Sequence, residues 1–241
     1  MLDRMRLLHE AYLPLRHEPV PFPVESAIVW YFLFALQDEL GIRGDILELG
    51  VQHGGTAFLA AAALASDERL TLVDLERTAE FAAIAAKLPD ERRQRIEFHT
   101  CSTRAPELDP VAARRFRFVH IDAGHLREDV LEDFARFADC TAAEGLLSMD
   151  DVFEIRWPGV TEAVVESVPG SGLEPVFFVN RKLYLAPSAA ADSYRVAIEE
   201  RLDTFRAFGP VRSWFVDMLG AKTLVMKLAP GSDDLRRLTM P

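Results

Sequence analysis

Two groups of residues in this 241-residue chain have the types and spacing to do chemistry. The first is Asp45-Ile46-Leu47-Glu48-Leu49-Gly50-Val51-Gln52-His53-Gly54-Gly55-Thr56, followed by the alanine-rich stretch Ala57–Ala65. It reads as a buried strand, a glycine-rich turn and a helix. Such a turn brings backbone N–H groups and a helix N-terminus close to a ligand, and glycine is needed where a side chain would block the approach. A nucleotide-like cofactor is the expected occupant. The second group is acidic: Phe118-Val119-His120-Ile121-Asp122-Ala123-Gly124-His125 and Gly145-Leu146-Leu147-Ser148-Met149-Asp150-Asp151 each carry carboxylates at the end of an apolar run. In open α/β sheets, ligands bind beyond the carboxyl ends of the strands, so Asp122, Asp150 and Asp151 are expected to converge beside the cofactor. Three carboxylates in a small space repel one another unless a cation sits between them. Hard oxygen donors suit Mg²⁺, with Mn²⁺ or Ca²⁺ as alternatives. No second histidine or cysteine has zinc-site spacing. His125, at the start of the next helix, becomes a candidate general base beside a metal. His53 reads as turn chemistry or the edge of a substrate pocket, and His120 as a satisfied core residue.

The elements that must position these groups follow from the apolar pattern. Strands are expected at Ile46–Leu49, Leu70–Val73, Ile96–His99, Arg117–Ile121 and Leu146–Met149, with helices over Thr56–Ala65, Thr78–Leu88 and Arg127–Ala138 between them. Alternating strands and helices imply a mainly parallel sheet with helices on both faces. Pro175–Val179 and Lys182–Leu185 are separated only by Asn180-Arg181, a connection that allows only antiparallel pairing. Upstream, a short helix over residues 3–12, a break at Pro19-Val20-Pro21-Phe22-Pro23 and an apolar helix at Val24–Leu40 form an N-terminal segment. The tail holds a helix near Ala189–Phe205 and an apolar run at Thr223–Leu228, which reads equally as an extra strand, a lid or a subunit contact. The expected division is residues 1–44 as helical segment or lid, 45–187 as cofactor-binding core and 188–241 as extension.

The dinucleotide fingerprint places glycine at the first, third and sixth positions of its turn, here Gly50, Gln52 and Gly55. The missing middle glycine removes the room a pyrophosphate needs, so a cofactor without one fits better, and a dehydrogenase is the weakest reading. Asp74 ends the second strand, where an acidic side chain can accept from both ribose hydroxyls. Glu48 is placed to meet a cationic amino group, and Cys101 and Ser102 follow the third strand, where an adenine edge would lie. Together these favour an adenosyl cofactor.

The pattern Glu48-x-Gly50-x-x-x-Gly54-Gly55-Thr56, followed by Asp74, resembles the class I S-adenosylmethionine-dependent methyltransferases over roughly residues 40–190. That resemblance implies a Rossmann-like seven-stranded α/β sheet, mainly parallel, with an antiparallel final hairpin. The cofactor would be S-adenosylmethionine, held by Glu48, Gly50, Gly54, Gly55, Thr56, Asp74, Cys101, Ser102 and Asp122. Asp122-x-x-His125 with the later Gly145-Leu146-Leu147-x-x-Asp150-Asp151 resembles the metal-dependent sugar O-methyltransferases of the macrocin and mycinamicin type, and the proteins known as cephalosporin hydroxylases. This second resemblance implies that Asp122, Asp150 and Asp151 hold Mg²⁺ and that His125 takes the substrate proton. Leu126 and Arg127 stand where that group often has a small hydroxyl residue and an aromatic, a departure that bears on substrate rather than chemistry.

Composition narrows the field further. A net charge of −11 argues against a general nucleic-acid binder, because phosphate binding needs clustered cations. The longest apolar run, Ala27–Leu36, is too short to span a bilayer. No secretory leader is visible, and Cys101 and Cys140 read as free thiols of a reducing cytoplasm. The expected partner is a small-molecule acceptor, and the apolar tail is compatible with a homodimer. Two rival functions are a metal-independent methyltransferase acting on a carboxyl or small phenol, and a non-catalytic cofactor-binding protein.

Overall fold

A computed structural model describes residues 1–16 and 22–229. The break expected at Pro19–Pro23 lies, as far as Pro21, outside the described residues. In chain order come α1 (Leu2–Tyr12), α2 (Val24–Glu39), β1 (Ile46–Leu49), α3 (Gly55–Ala63), β2 (Leu70–Asp74), α4 (Ala79–Ala85), α5 (Asp90–Arg93), β3 (Ile96–Thr100) and α6 (Asp109–Ala112). These are followed by β4 (Phe116–Ile121), α7 (Arg127–Phe137), β5 (Thr141–Met149), α8 (Pro158–Ser167), β6 (Leu173–Val179), β7 (Lys182–Pro187), α9 (Ser188–Glu199), α10 (Asp203–Arg206), β8 (Val211–Met218) and β9 (Ala221–Leu228).

The strands form one mixed sheet in the order β3-β2-β1-β4-β5-β7-β6-β9-β8. Strands β3, β2, β1, β4 and β5 run parallel, and β7 is antiparallel to β5 and also to β6, to which the two-residue Asn180-Arg181 connection joins it. The seven-strand expectation is corrected to nine. The tail adds the β8–β9 hairpin, with β9 parallel to β6 through Phe177–Leu224 and Phe178–Val225. The run at Thr223–Leu228 is therefore a strand. It sits there because alternate side chains, Leu224, Met226 and Leu228, continue the buried face of β6.

Strand residues alternate between two apolar layers. Ile46, Leu70, Phe118 and Leu146 face α1, α2, α3 and α9, whereas Leu47, Val119, Leu147 and Leu185 face α6, α7 and α8. Helix α2 is apolar all round and buried from Ser26 to Gln37, which is why it carries no polar stripe. At the amino end of β4, the fully buried Arg117 guanidinium donates to Glu68 Oε2 (2.9 Å), Gln37 Oε1 (2.9 Å) and the Gly44 carbonyl (3.1 Å), tying α2 and the β1 entry to the sheet. Among the described residues, no helix is long and apolar enough to cross a membrane.

Candidate active site

The alternation that builds the layers also builds the site. On the α2 side, the registers of β1, β4, β5 and β7 align Glu48, His120, Ser148 and Tyr184 in one lateral row. One residue pair higher, at the carboxyl ends, come Gly50, Asp122 and Asp150. The lower row is polar yet wholly buried, and most of its capacity is unspent: Glu48 Oε2, both His120 nitrogens and Ser148 Oγ have no hydrogen-bond partner. Trp30 of α2 covers it, donating its indole N–H to the Tyr184 hydroxyl (3.1 Å) and meeting the His120 ring edge-on at 4.9 Å. His120 was expected to be a satisfied core residue; it is core but not satisfied. Burial, with the nearby Lys182 ammonium, pushes its pKa down to about 3, so it is neutral.

The turn after β1 depends on two glycines. Gly50 has φ +87°, and a Cβ there would lie 2.1 Å from the Asp122 carbonyl oxygen, so only glycine lets β1 and β4 end this close together. Gly54, at φ +86°, leads into α3, and a Cβ would strike Phe58 and Phe81. Gly55 begins the helix and Thr56 lies in its first turn, donating its hydroxyl to Glu48 Oε1. Burial raises the Glu48 pKa to about 8, against the Thr56 hydrogen bond, which lowers it.

Asp74 stands at the end of β2, as expected, but its carboxylate is committed to the turn. Oδ2 accepts the amides of Val51 and Gln52, each at 2.7 Å, and so holds Gln52 at its positive φ of 49°. Oδ1 takes the Glu76 amide at 3.3 Å. Cys101 and Ser102 follow β3, with the Cys101 amide bonded to the Asp74 carbonyl (2.9 Å) and Ser102 Oγ accepting from the Arg104 amide (3.2 Å). His53 lies at the turn with Nδ1 3.9 Å from the Glu80 carboxylate.

The acidic group does converge. Asp151, at φ +54°, turns its side chain towards His125, whose Nε2 is 3.3 Å from Asp151 Oδ2 and 3.6 Å from Asp122 Oδ1. Hydrogen bonds to Asp122 and Asp151 raise the His125 pKa to about 10, and the Asp122 carboxyl is pushed up to about 6, mainly by burial. The Trp157 indole, at the start of α8, lies over the His125 ring at 4.7 Å with 33° between the planes. Phe153, also at positive φ (64°), is exposed and packs edge-on to Phe178 at 5.5 Å.

Asp150 has a partner that the sequence does not reveal. The buried Lys182, at the start of β7, donates to Asp150 Oδ2, and Asp150 Oδ1 takes the Asp151 amide at 2.8 Å. Burial, the largest single influence, would raise the Asp150 carboxyl, but Lys182, with His120 and the Asp151 amide, together bring the pKa down to about 2. Arg181 lies 3.7 Å from Asp151 Oδ1 and also pairs with Glu154. The three carboxylates are thus answered by Lys182, His125 and Arg181, so repulsion among them does not by itself require a metal. Sequence reasoning missed Lys182, Trp157 and the row through Ser148 and Tyr184. The available signal was a polar residue recurring at every second position of otherwise apolar strands.

The donor atoms fall into two overlapping groups, each with all atoms within 4.8 Å of one another: His120, Asp122 and Asp150, and Asp122, His125 and Asp151. Each group offers two carboxylates and one imidazole, and the carboxylate oxygens suit a hard divalent cation. The unpaired Glu48 Oε2, beside a turn where no side chain fits at Gly50, suits the ammonium of an amino-acid-bearing cofactor.

The stretch that carries these residues resembles known proteins. Residues 47–152 match the family model described as a methyltransferase domain. That span runs from β1 to the acidic loop after β5. No curated protein matches the chain. Among solved structures, the chain is similar to the TDP-rhamnose 3'-O-methyltransferase CalS11 of calicheamicin biosynthesis, at 16% identity and TM-score 0.53, covering 76% of this chain and 93% of that one. It is also similar to MycE of the mycinamycin pathway, solved with Mg, S-adenosylhomocysteine (SAH) and mycinamycin VI, at 16% identity and TM-score 0.54, covering 75% of this chain and 54% of that one. The O-methyltransferase NovP gives 16% identity and TM-score 0.51, covering 77% and 97%. At these identities the structural likenesses speak for the fold.

Proposed function

We propose that this S-adenosylmethionine-dependent methyltransferase methylates a hydroxyl of a small molecule, a sugar or natural-product scaffold, with the help of a divalent cation such as Mg²⁺. The observation that carries the reading is the adjacency of two half-sites at the carboxyl ends of β1, β4 and β5. One is a buried carboxyl with an unpaired oxygen beside a glycine turn (Glu48, Gly50); the other is an acid–imidazole cluster (Asp122, His125, Asp151). CalS11, named as a TDP-rhamnose 3'-O-methyltransferase, MycE, solved with mycinamycin VI, and NovP, named as an O-methyltransferase, are consistent with it.

When bound, the cofactor supplies an electrophilic methyl group and the cation a Lewis acid for the acceptor oxygen. The residues of the chain align the partners, which is most of what an in-line displacement needs. Glu48 would hold the cofactor ammonium, whose charge would favour the ionised carboxylate. Gly50, Gly54 and Gly55 leave the backbone open, with Thr56 fixing Glu48. Asp74 shapes the turn through Val51 and Gln52 and has its Oδ1 edge left for ribose hydroxyls. Cys101 and Ser102, after β3, would flank the adenine. Asp122 and Asp151, with Asp150 beside them, form the acidic cluster that would hold the cation. His125 Nε2 is the proton acceptor. Asp122 and Asp151, which now hold its proton in place, lose that hold when their charge is answered by a cation.

Calorimetry with S-adenosylmethionine and a turnover assay reading SAH test the proposal. Full turnover in excess chelator would remove the metal, and absence of cofactor binding would leave a non-catalytic role. His125→Ala is expected to lower kcat by about 10²–10⁴-fold with little change in cofactor affinity. The metal-independent alternative gains support from the charge balance that Lys182, His125 and Arg181 already provide, and titration of activity against Mg²⁺ separates the two.

A further inference from the structure

Lys182 is the buried cation that the chemistry above does not use. The β5–β7 register pairs Leu147 with Leu185, Ser148 with Tyr184 and Met149 with Leu183, so one further step sets Lys182 opposite Asp150. Directly opposite residues share a face of the sheet. The lysine is therefore built into the site by the hairpin rather than drifting into it. Its side chain is 4% exposed, its ammonium sits on Asp150 Oδ2, and the Phe22 ring closes it off 5.6 Å away. With Oδ1 held by the Asp151 amide, both Asp150 oxygens are engaged. Of the two donor groups, the inner one (His120, Asp122, Asp150) contains this ion pair, and the outer one (Asp122, His125, Asp151) does not.

We propose that Lys182 is the resident cation of the inner group, so that a divalent ion is held by Asp122 and Asp151 while Asp150 anchors the lysine and does not ligate. A dication beside Asp150 would meet an ammonium whose side chain is 4% exposed and which lies under the Phe22 ring. In the outer group the nearest lysine or arginine charge is Arg181, 3.7 Å from Asp151 Oδ1, and its side chain is 43% exposed and can swing to solvent, which the buried Lys182 cannot. Lys182 is then a positioning residue: it fixes where the metal sits relative to His125. The inference rests on the metal-assisted reading and narrows it.

The test is a double-mutant cycle read by Mn²⁺ binding, using electron paramagnetic resonance on the full chain with SAH present. Melting temperature and SAH affinity serve as folding controls. Asp150→Asn is expected to bind Mn²⁺ within about threefold of the native protein. Lys182→Met is expected to bind at least tenfold tighter, because it releases Asp150 as a third carboxylate. Adding Asp150→Asn to Lys182→Met should abolish that gain. A tenfold or greater loss of Mn²⁺ affinity in Asp150→Asn alone would make Asp150 a ligand and overturn the proposal, and this arm decides the matter if Lys182→Met does not fold. Mn²⁺ binding that is absent from the native protein but present in Lys182→Met would sink the metal-assisted reading while upholding the lysine's role. No binding in any variant would sink both.

Discussion

The Thr56 hydroxyl donates to Glu48 Oε1, and among the described residues it is the only hydrogen bond this buried carboxyl receives. One bond does not offset full burial, and the Glu48 pKa stands at about 8 in the folded chain against the ordinary glutamate value of 4.5. Between those two values the folded protein binds a proton that the unfolded chain has lost, so this group makes stability fall as pH rises. Without cofactor, the melting temperature is expected to decline from pH 5 to pH 8. Glu48→Gln should flatten that decline and stabilise the protein at pH 8 by on the order of a few kcal/mol. Thermal melts of both proteins across the window check it, and identical slopes would clear Glu48 of the effect.

Gly50 offers a steric prediction. Alanine there would place a methyl group 2.1 Å from the Asp122 carbonyl, in backbone at φ +87° that disfavours any side chain. The close approach of β1 to β4 must then open, and the turn that Asp74 holds opens with it. Gly50→Ala is expected to cost about 3 kcal/mol or more, from the αL penalty and the clash together. It should also abolish S-adenosylmethionine binding. Denaturant melts and calorimetry measure the two losses separately.

These two positions were legible in the sequence because strand, turn and helix follow one another without interruption and the side chains at issue are local to them. The seven central strands were legible for the same reason. Apart from β3, which is half-exposed at the sheet's edge, they are mostly buried and read as apolar runs, and every expected end except the start of β5 lies within two residues of the observed one. Strand β8 was not legible. At the sheet's outer edge, Arg212, Ser213 and Trp214 are exposed, and half-exposed neighbours blur the alternation that marks a strand. Lys182 was hidden for a different reason. Its partner Asp150 is 32 residues away across an antiparallel pair, and register between strands is set by tertiary packing. Asp74 shows the limit of motif reading: its position was legible, but the commitment of Oδ2 to Val51 and Gln52 depends on how the turn folds.

Trp157 is expected to matter for rate more than for stability. Its indole covers the imidazole of His125 while being 38% exposed itself, so removing it frees the ring to leave Asp122 and Asp151 without opening a closed core. A misplacement of about 1 Å in a reacting group can cost on the order of 10²-fold. Trp157→Ala should lower kcat at least about tenfold, with Trp157→Phe recovering most of it through a retained aromatic face. Steady-state kinetics with a saturating methyl donor decide the point, and an unchanged kcat in the alanine variant would leave Trp157 a bystander.

Arg117 separates stability from chemistry. It is fully buried at the amino end of β4, at the opposite end of the strands from Asp122 and Asp150, and its guanidinium neutralises Glu68 while satisfying Gln37 and Gly44. Breaking a buried pair from one side strands the other charge, at a cost of about 3–5 kcal/mol. Arg117→Met should therefore lower stability by about that much, whereas Arg117→Met with Glu68→Gln should recover part of the loss, because no buried charge is left unpaired. In both variants, cofactor affinity below the melting transition is expected to match the native protein, since the site residues lie at the other end of the sheet and share no contact with this cluster. Chemical denaturation gives the first quantity and calorimetry the second. A variant that folds normally yet loses S-adenosylmethionine binding would mean that the two ends of β4 are coupled.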